Sequence, residues 1–501
     1  MALFILIFTL ALVIFNLTLP IMAGIYIVSD LGGSTFLSSY GVSFFCIGNA
    51  LTTPLGKLDV VKLSPFKLYL LCLSLMLVFS WLCATTTTYF NFNLFRFLQG
   101  IASGPLYLLI TIGLLPKMFT PQAQAKLLPY LFICFSFTPV LGASWGAWIS
   151  YAYHWRGLFF TNIPICLILI ILVAINFKNF NQVPRQTYLD KYNFLLYSIS
   201  LICIGSALIM GQELDWFRSN VINSLFLIGG VSSVIFIFHS LSIAHPLIHL
   251  RLFKHFFFTF AMINIGLLFG IYYGMVILFG LWLKLYVNYT PNWIALITLT
   301  MAFGAWIPLL LHYKQVDPRL PLAIALLFFI ISSYYTTAFN SDINFNRIAL
   351  SRILAGIGLA LFLPPLFRLT VQIFAAEKAQ EAVNCFHIIR LCSSGLGAAL
   401  FVTLWQHRQV FYYERLGNKV TILSQQVTNY LMQAAQFNLH GKVALAQLNS
   451  SLLRRATALA LDDCFYLMMW LSMGLLLLLI ATYYPLQFKP TLTYQKNNLP
   501  I

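Results

Sequence analysis

Apolar blocks of about 20 residues alternate with short polar turns along almost the whole chain. Each block has the length an α-helix needs to cross the hydrocarbon of a bilayer. The pattern predicts spans at about 2–22, 37–56, 66–84, 92–113, 126–150 and 157–177. Two more follow at 192–211 and 220–239, and six at 256–280, 291–312, 319–338, 345–367, 383–403 and 463–484. Short loops make consecutive helices antiparallel neighbours. The expected fold class is therefore an all-α membrane protein with 14 transmembrane helices.

One stretch breaks the rhythm. Residues 404–462 are mostly polar, with Ile422, Val427, Leu431 and Ala434 near helical spacing. They predict either one or two amphipathic helices on the outer face, lying along the membrane surface, or a loop packed against the ends of the bundle. The tail after Tyr484 is short, contains proline and reads as disordered. No cleavable signal peptide is expected. The first apolar stretch begins at Ala2 without a basic leader and runs on through Asn16 and Pro20.

Composition supports this reading. Only 8% of residues are charged, against about 25% in a soluble domain. The net charge of +17 would suggest nucleic acid in a soluble protein, but here it follows the loops. Alternate loops hold Lys57, Lys62, Lys67, Lys117, Lys126, Lys178, Arg185, Lys191, Arg251, Lys254, Lys314, Arg319, Arg368 and Lys378, and the tail adds Lys489 and Lys496. The short loops on the other side hold Arg156, Arg218, Lys284 and Arg347. The positive-inside rule makes the first side cytoplasmic, with both termini there. The nine cysteines lack metal-ligand spacing and read as small hydrophobes, so no metal or cofactor is expected. Hydrolytic, redox and nucleotide-binding motifs are missing, and the loops are too short for an ATP site, so an enzyme or ATP-driven pump is not expected.

The candidate chemistry lies within the spans. Arg96 sits in the fourth. It either snorkels to an interface or faces the bundle interior. Apolar residues on both sides and Gln99 one turn on favour the interior, where it would bind an anionic group or order polar groups during transport. Asn16 and Gln99 are its natural hydrogen-bonding partners, or equally helix–helix glue. Pro139, Gly142 and Gly146 in the fifth span read as a hinge or a close-packing element. Arg352 and Arg390 are also embedded. His387, beside Arg390, is either a group that protonates near neutral pH or a polar packing residue. The carboxylates, among them Asp30, Asp190, Glu381 and Asp462, fall in loops or at helix ends. Glu213, closing the seventh span, is the nearest to burial.

Several stretches resemble the major facilitator superfamily, and within it the fourteen-span drug:proton antiporters of the EmrB/QacA kind. Asn16 with Leu19-Pro20 resembles an N-terminal signature whose opening acid is replaced by Ala11. Gly56-Lys57-Leu58-Asp59, followed by Lys62, resembles the gating loop between spans two and three. Arg96-Phe97-Leu98-Gln99-Gly100 matches the fourth-span motif, and Thr138-Pro139, Gly142 and Gly146 resemble the fifth-span motif. His154-Trp155-Arg156, Phe159-Phe160 and Asn162-Ile163-Pro164 form the most specific match. His245-Pro246-Leu247, then Arg352 with Gly356 and Gly358, and Arg390 with Gly395 and Gly397 resemble later motifs.

The resemblance implies the major facilitator fold: a six-helix bundle over 1–180, two extra helices over 181–254, a second bundle over 255–484 and a cytoplasmic tail over 485–501. It implies a bacterial inner-membrane exporter of an amphipathic small molecule, driven by protons. Arg96, Gln99, Asn16, Glu213, His387 and Arg390 would serve the substrate or proton path, and Gly56, Asp59 and Lys62 the gate. The implied partners are the substrate, protons, lipid and a periplasmic adaptor, with no nucleic acid. Two other readings stay open: a carrier for a specific siderophore or metabolite in either direction, and a transport-inactive, receptor-like relative.

Overall fold

The computed structural model describes residues 1–57, 60–180, 189–307, 317–340, 343–371, 373–374, 376–420, 424–438 and 440–483. Arg185, Lys314, Ile422, Lys489, Lys496 and the tail after Tyr484 lie outside the described residues. The described residues are almost all helical and contain no strand. Helices stand at all fourteen predicted places. They are α1 (Ala2–Thr18, continuing as Pro20–Asp30), α2 (Tyr40–Thr52), α3 (Pro65–Thr85), α4 (Tyr89–Met118), α5 (Pro121–Ala152), α6 (Gly157–Asn176) and α7 (Lys191–Met210). Then come α8 (Asn220–Ser242), α9 (Phe256–Leu285), α10 (Pro291–Leu299), α11 (Arg319–Thr337), α12 (Phe345–Val371), α13 (Ala376–Gly417) and α14 (Gly441–Tyr483). Eleven are long and apolar enough to cross a membrane as single helices, and α1 adds a span bent by 43°. The remaining two, α2 and α10, are shorter and carry 3-10 turns at one or both ends.

The helix starts follow from local chemistry. Ser64 precedes Pro65 and accepts from the Lys67 amide, and Thr88 caps α4 through the Asn91 amide. Thr120 precedes Pro121, and Asp190 accepts from the Tyr192 and Asn193 amides. Side-chain acceptors at the N-cap and proline in the first turn satisfy or remove orphan donors. Pro20 has the opposite effect inside α1, where the missing donor permits the bend.

Residues 404–462 differ in part from expectation: the amphipathic segment around Val427, Leu431 and Ala434 is helical, but most of the stretch continues the long helices on either side. Helix α13 runs unbroken to Gly417 and α14 begins at Gly441, so the two form an antiparallel extension. Arg408 meets Asp463 at 2.5 Å, and Gln409 donates to Thr457 at 2.8 Å. A short amphipathic helix, Gln425–Gln436, lies between them. Polar residues mark where the membrane ends, whereas helix continues until a breaker such as Gly417.

Two seams join helices far apart in the chain: α2 against α13, and α5 against α10. In the first, Ser43 Oγ donates to the Gly395 carbonyl at 2.7 Å; in the second, Ser144 Oγ donates to the Ala295 carbonyl at 2.8 Å. Helices α7 and α8 pack mainly on each other and lie at the periphery, with exposed Leu227 and Phe238. Such apolar exposure fits a hydrocarbon surround.

Candidate functional site

Arg96 is fully buried where α1, α2, α3, α4 and α6 converge. Its Nε donates to the Gly41 carbonyl at 3.0 Å, Nη1 to Gln99 Oε1 at 2.5 Å and Nη2 to the Asn16 carbonyl at 2.9 Å. Gln99 Nε2 donates on to Ser80 Oγ at 2.8 Å and Asn16 Oδ1 at 3.2 Å. Asn162 Nδ2 donates to the same Asn16 oxygen at 2.6 Å. The guanidinium lies 4.5 Å from the Phe45 ring centre and 5.6 Å from that of Phe159. Among the described residues, no carboxylate is bonded to Arg96. Neutral oxygens and ring faces satisfy the charge instead. Arg96, Gln99 and Asn16 are thus brought together. Ser80, Phe159 and Asn162 were not expected in the cluster. The sequence signal for the last two was the specific Phe-x-x-Asn-x-Pro stretch.

His387 and Arg390 form a separate cluster on α13. Arg390 is 1% exposed and His387 3%. The guanidinium carbon of Arg390 is 4.9 Å from the centre of the Tyr107 ring, 5.3 Å from Phe135 and 5.7 Å from Phe269. His387 stacks on Tyr107 at 5.1 Å between ring centres. A cavity of about 350 Å³ opens beside them, between α4–α5 and α12–α13. Leu128, Leu131, Phe132, Phe135, Phe367 and His387 are among its walls. Thr111 and Ile112 reach it from a π-helical segment, Leu109–Leu114, that follows Pro105 in α4. A π turn inside an α-helix recurs at functional sites.

The third cluster closes one end of the molecule. Lys57 Nζ donates to Glu381 Oε2 at 2.5 Å and to the Leu247 carbonyl at 3.2 Å. His249 Nδ1 stands 3.1 Å from the same carboxylate oxygen. Lys57 follows α2, Glu381 opens α13, and Leu247 and His249 belong to the connector after α8. Of the expected gating residues, Gly56 is buried against α4, Lys62 is exposed and Asp59 lies outside the described residues. The ion pair that sequence reasoning missed is the neighbouring Lys57 with Glu381. Nearby, burial acts to raise the Asp190 pKa. The His239 ring and the Asn193 and Tyr192 amides outweigh it and hold the carboxyl below its ordinary value.

Glu213 is not drawn into any of these clusters. It is exposed in the turn after α7, at the rim of a second cavity walled by Tyr40, Tyr89 and Phe97. Pro139, Gly142 and Gly146 lie in an α5 that is continuous, not broken. A Cβ on Gly142 would sit 2.1 Å from Thr18 Oγ1, and one on Gly146 2.1 Å from the Leu19 carbonyl. The two glycines let α5 close on α1 at its bend.

The family model for the Major Facilitator Superfamily matches residues 3–316. The chain belongs to this superfamily. Among curated members, it is 26% identical to the multidrug export protein EmrB of Haemophilus influenzae, over 94% of this chain and 91% of that one. It is also 26% identical to the fatty acid resistance protein FarB of Neisseria gonorrhoeae, over 90% and 88%. Identity to Escherichia coli K12 EmrB is 23%, over 93% and 90%. Solved structures share the superfamily fold. A POT family transporter in complex with 5-aminolevulinic acid aligns with a TM-score of 0.60 at 14% identity, covering 96% of this chain and 95% of that one. The human organic anion transporter MFSD10 aligns at 0.55 and 13%, covering 95% and 97%.

Proposed function

We propose that this superfamily member exports an amphipathic small molecule, with the proton gradient as driver. The observation that carries the reading is the apolar cavity of about 350 Å³ between α4–α5 and α12–α13, with buried polar residues at one wall. Ligand sites of this size are mostly apolar with a few placed polar groups. Similarity over nearly full length to multidrug export proteins supports the direction. In this reading α1–α6 and α9–α14 act as two halves, α7–α8 are an added pair, and the halves rock about the two seams. The end bearing Lys57 and Glu381 faces the cytoplasm of a bacterial cell, with both termini, because the basic loops gather there. The extension of α13 and α14 then projects outside and is the surface offered to a periplasmic adaptor.

Arg96 is the proposed organiser of the first half. Its bonds tie α1, α2 and α4 together. Purified protein in proteoliposomes should move an amphipathic dye against its gradient when a proton gradient is imposed. Arg96→Ala should fold and reduce that flux to background. Full flux in Arg96→Ala would remove Arg96 from the mechanism, and binding without flux in the unaltered protein would end the export reading.

A further inference from the structure

The two buried arginines nearest the functional clusters are satisfied differently. Arg96 spends its donors on three acceptors of the protein. Arg390 does not. Its Nε and Nη2 are buried without a hydrogen-bond partner, as is His387 Nδ1 beside them. A guanidinium is a planar fork of donors with no acceptor, and burying such donors unpaired is costly. Rings of Tyr107, Phe135 and Phe269 lie near the guanidinium. The rings give it attraction, and the Tyr107 hydroxyl is the one oxygen among them.

The neighbouring cavity supplies the missing context. His387 is part of its wall, and so is Phe135, which also lies against Arg390. The rest of the wall is dominated by leucine, phenylalanine and valine, with Gln124 and Thr111 as further polar members. We infer that Arg390 and His387 form a headgroup subsite for a carboxylate. The substrate class is then a single-tailed amphipathic anion whose tail fills the apolar cavity. A carboxylate matches the fork of a guanidinium in the plane and accepts two parallel bonds. A cationic head would face an unpaired positive charge, and a neutral hydroxyl offers a single oxygen and no counter-charge. The subsite gives substrate chemistry to the proposed export site and rests on that reading for its place in a transport cycle, but its binding is tested separately.

The test uses the full chain in phosphatidylcholine nanodiscs at pH 8, with radiolabelled decanoate and empty nanodiscs subtracted. Decanoate should bind saturably and be displaced by unlabelled decanoate. Decanol should compete about ten- to hundredfold more weakly, the range expected for loss of charged hydrogen bonds. Decyltrimethylammonium should not compete. Arg390→Gln should weaken decanoate by a similar factor and leave decanol unchanged. Arg390→Lys, which keeps the charge but not the fork, should recover only part of the affinity, and His387→Gln should show a smaller loss than Arg390→Gln. Equal competition by decanol and decanoate in the unaltered protein overturns the subsite, as does wild-type decanoate affinity in Arg390→Gln. If Arg390→Gln does not fold, the comparison of the three probes on the unaltered protein still decides. Flux indifferent to head charge would leave export standing and remove the subsite. Decanoate binding without flux would do the reverse.

Discussion

At the scale of single residues, the chain carries buried charge without counter-charge. Arg96 is neutralised by carbonyl and amide oxygens and by two rings. Arg352 uses Thr336 and Ser351 hydroxyls at 2.9 Å each and lies 3.9 Å from the Phe279 ring centre. These arrangements depend on neutral acceptors staying in place, and within the Arg96 cluster Asn16 is the acceptor used more than once. Its side-chain oxygen accepts from both Gln99 and Asn162. Replacing it with leucine strands the Asn162 amide and removes one of the two bonds that Gln99 donates. Asn16→Leu should therefore cost about 1–3 kcal/mol for the stranded donor. It should lower the thermal midpoint in detergent, while Asn16→Asp, which keeps the oxygens, should lower it less. Equal midpoints for Asn16→Leu and the unaltered protein would show that the cluster is not what holds these helices.

At the scale of helices, close approach decides. The nearest backbone atom to a Cβ on Gly146 would be the Leu19 carbonyl oxygen, which cannot rotate away. Gly474, on α14, would meet nothing within 4 Å. Gly146→Ala should keep helical circular dichroism but lose most flux, because α1 and α5 can no longer meet at the bend. Gly474→Ala should transport normally. If the two variants behave alike, the α1–α5 contact does not matter to the cycle. This scale also shows what could be read from the chain. Hydropathy located a helix at each of the fourteen predicted places, because crossing the hydrocarbon imposes length and composition together. Arg96, Gln99 and Asn16 could be grouped since polar residues in spans seek one another. Two things escaped. The unbroken run of α13 to Gly417 escaped because hydropathy reports the membrane boundary rather than the helix end. The pairing of Lys57 with Glu381 escaped because each sits in its own polar turn and only the tertiary fold joins them. Glu213, placed at a helix end by the hydropathy, stays exposed in the turn after α7.

At the scale of the whole molecule, one end is held by a small ionic contact. Lys57 is 9% exposed and Glu381 20%, and their bond links the end of α2 to the start of α13. Glu381→Gln leaves Lys57 without its counter-charge, at a cost of at most about 3 kcal/mol given the partial exposure. Spin labels on Lys62→Cys and Lys378→Cys, both exposed positions, should then report a longer distance. The double exchange Lys57→Glu with Glu381→Lys should bring the distance part of the way back. An unchanged distribution in Glu381→Gln would mean the contact does not hold that end. The same positions settle orientation. An α-helix rises about 1.5 Å per residue, so a 42-residue helix is roughly twice the hydrocarbon thickness. The α13–α14 extension must therefore emerge from the bilayer, and the proposed orientation puts it outside. Lys442 is exposed on that extension and Lys62 on the opposite basic end. Of the nine native cysteines, seven are buried and Cys203 and Cys392 are half-buried, so their background labelling should be low. In intact cells, a membrane-impermeant maleimide should label Lys442→Cys and spare Lys62→Cys until the cells are permeabilised. The reverse pattern would invert the molecule in the membrane. Because the cavity and the Lys57–Glu381 contact lie toward the same end, that inversion would also turn the proposed direction of loading from the cytoplasm to the outside.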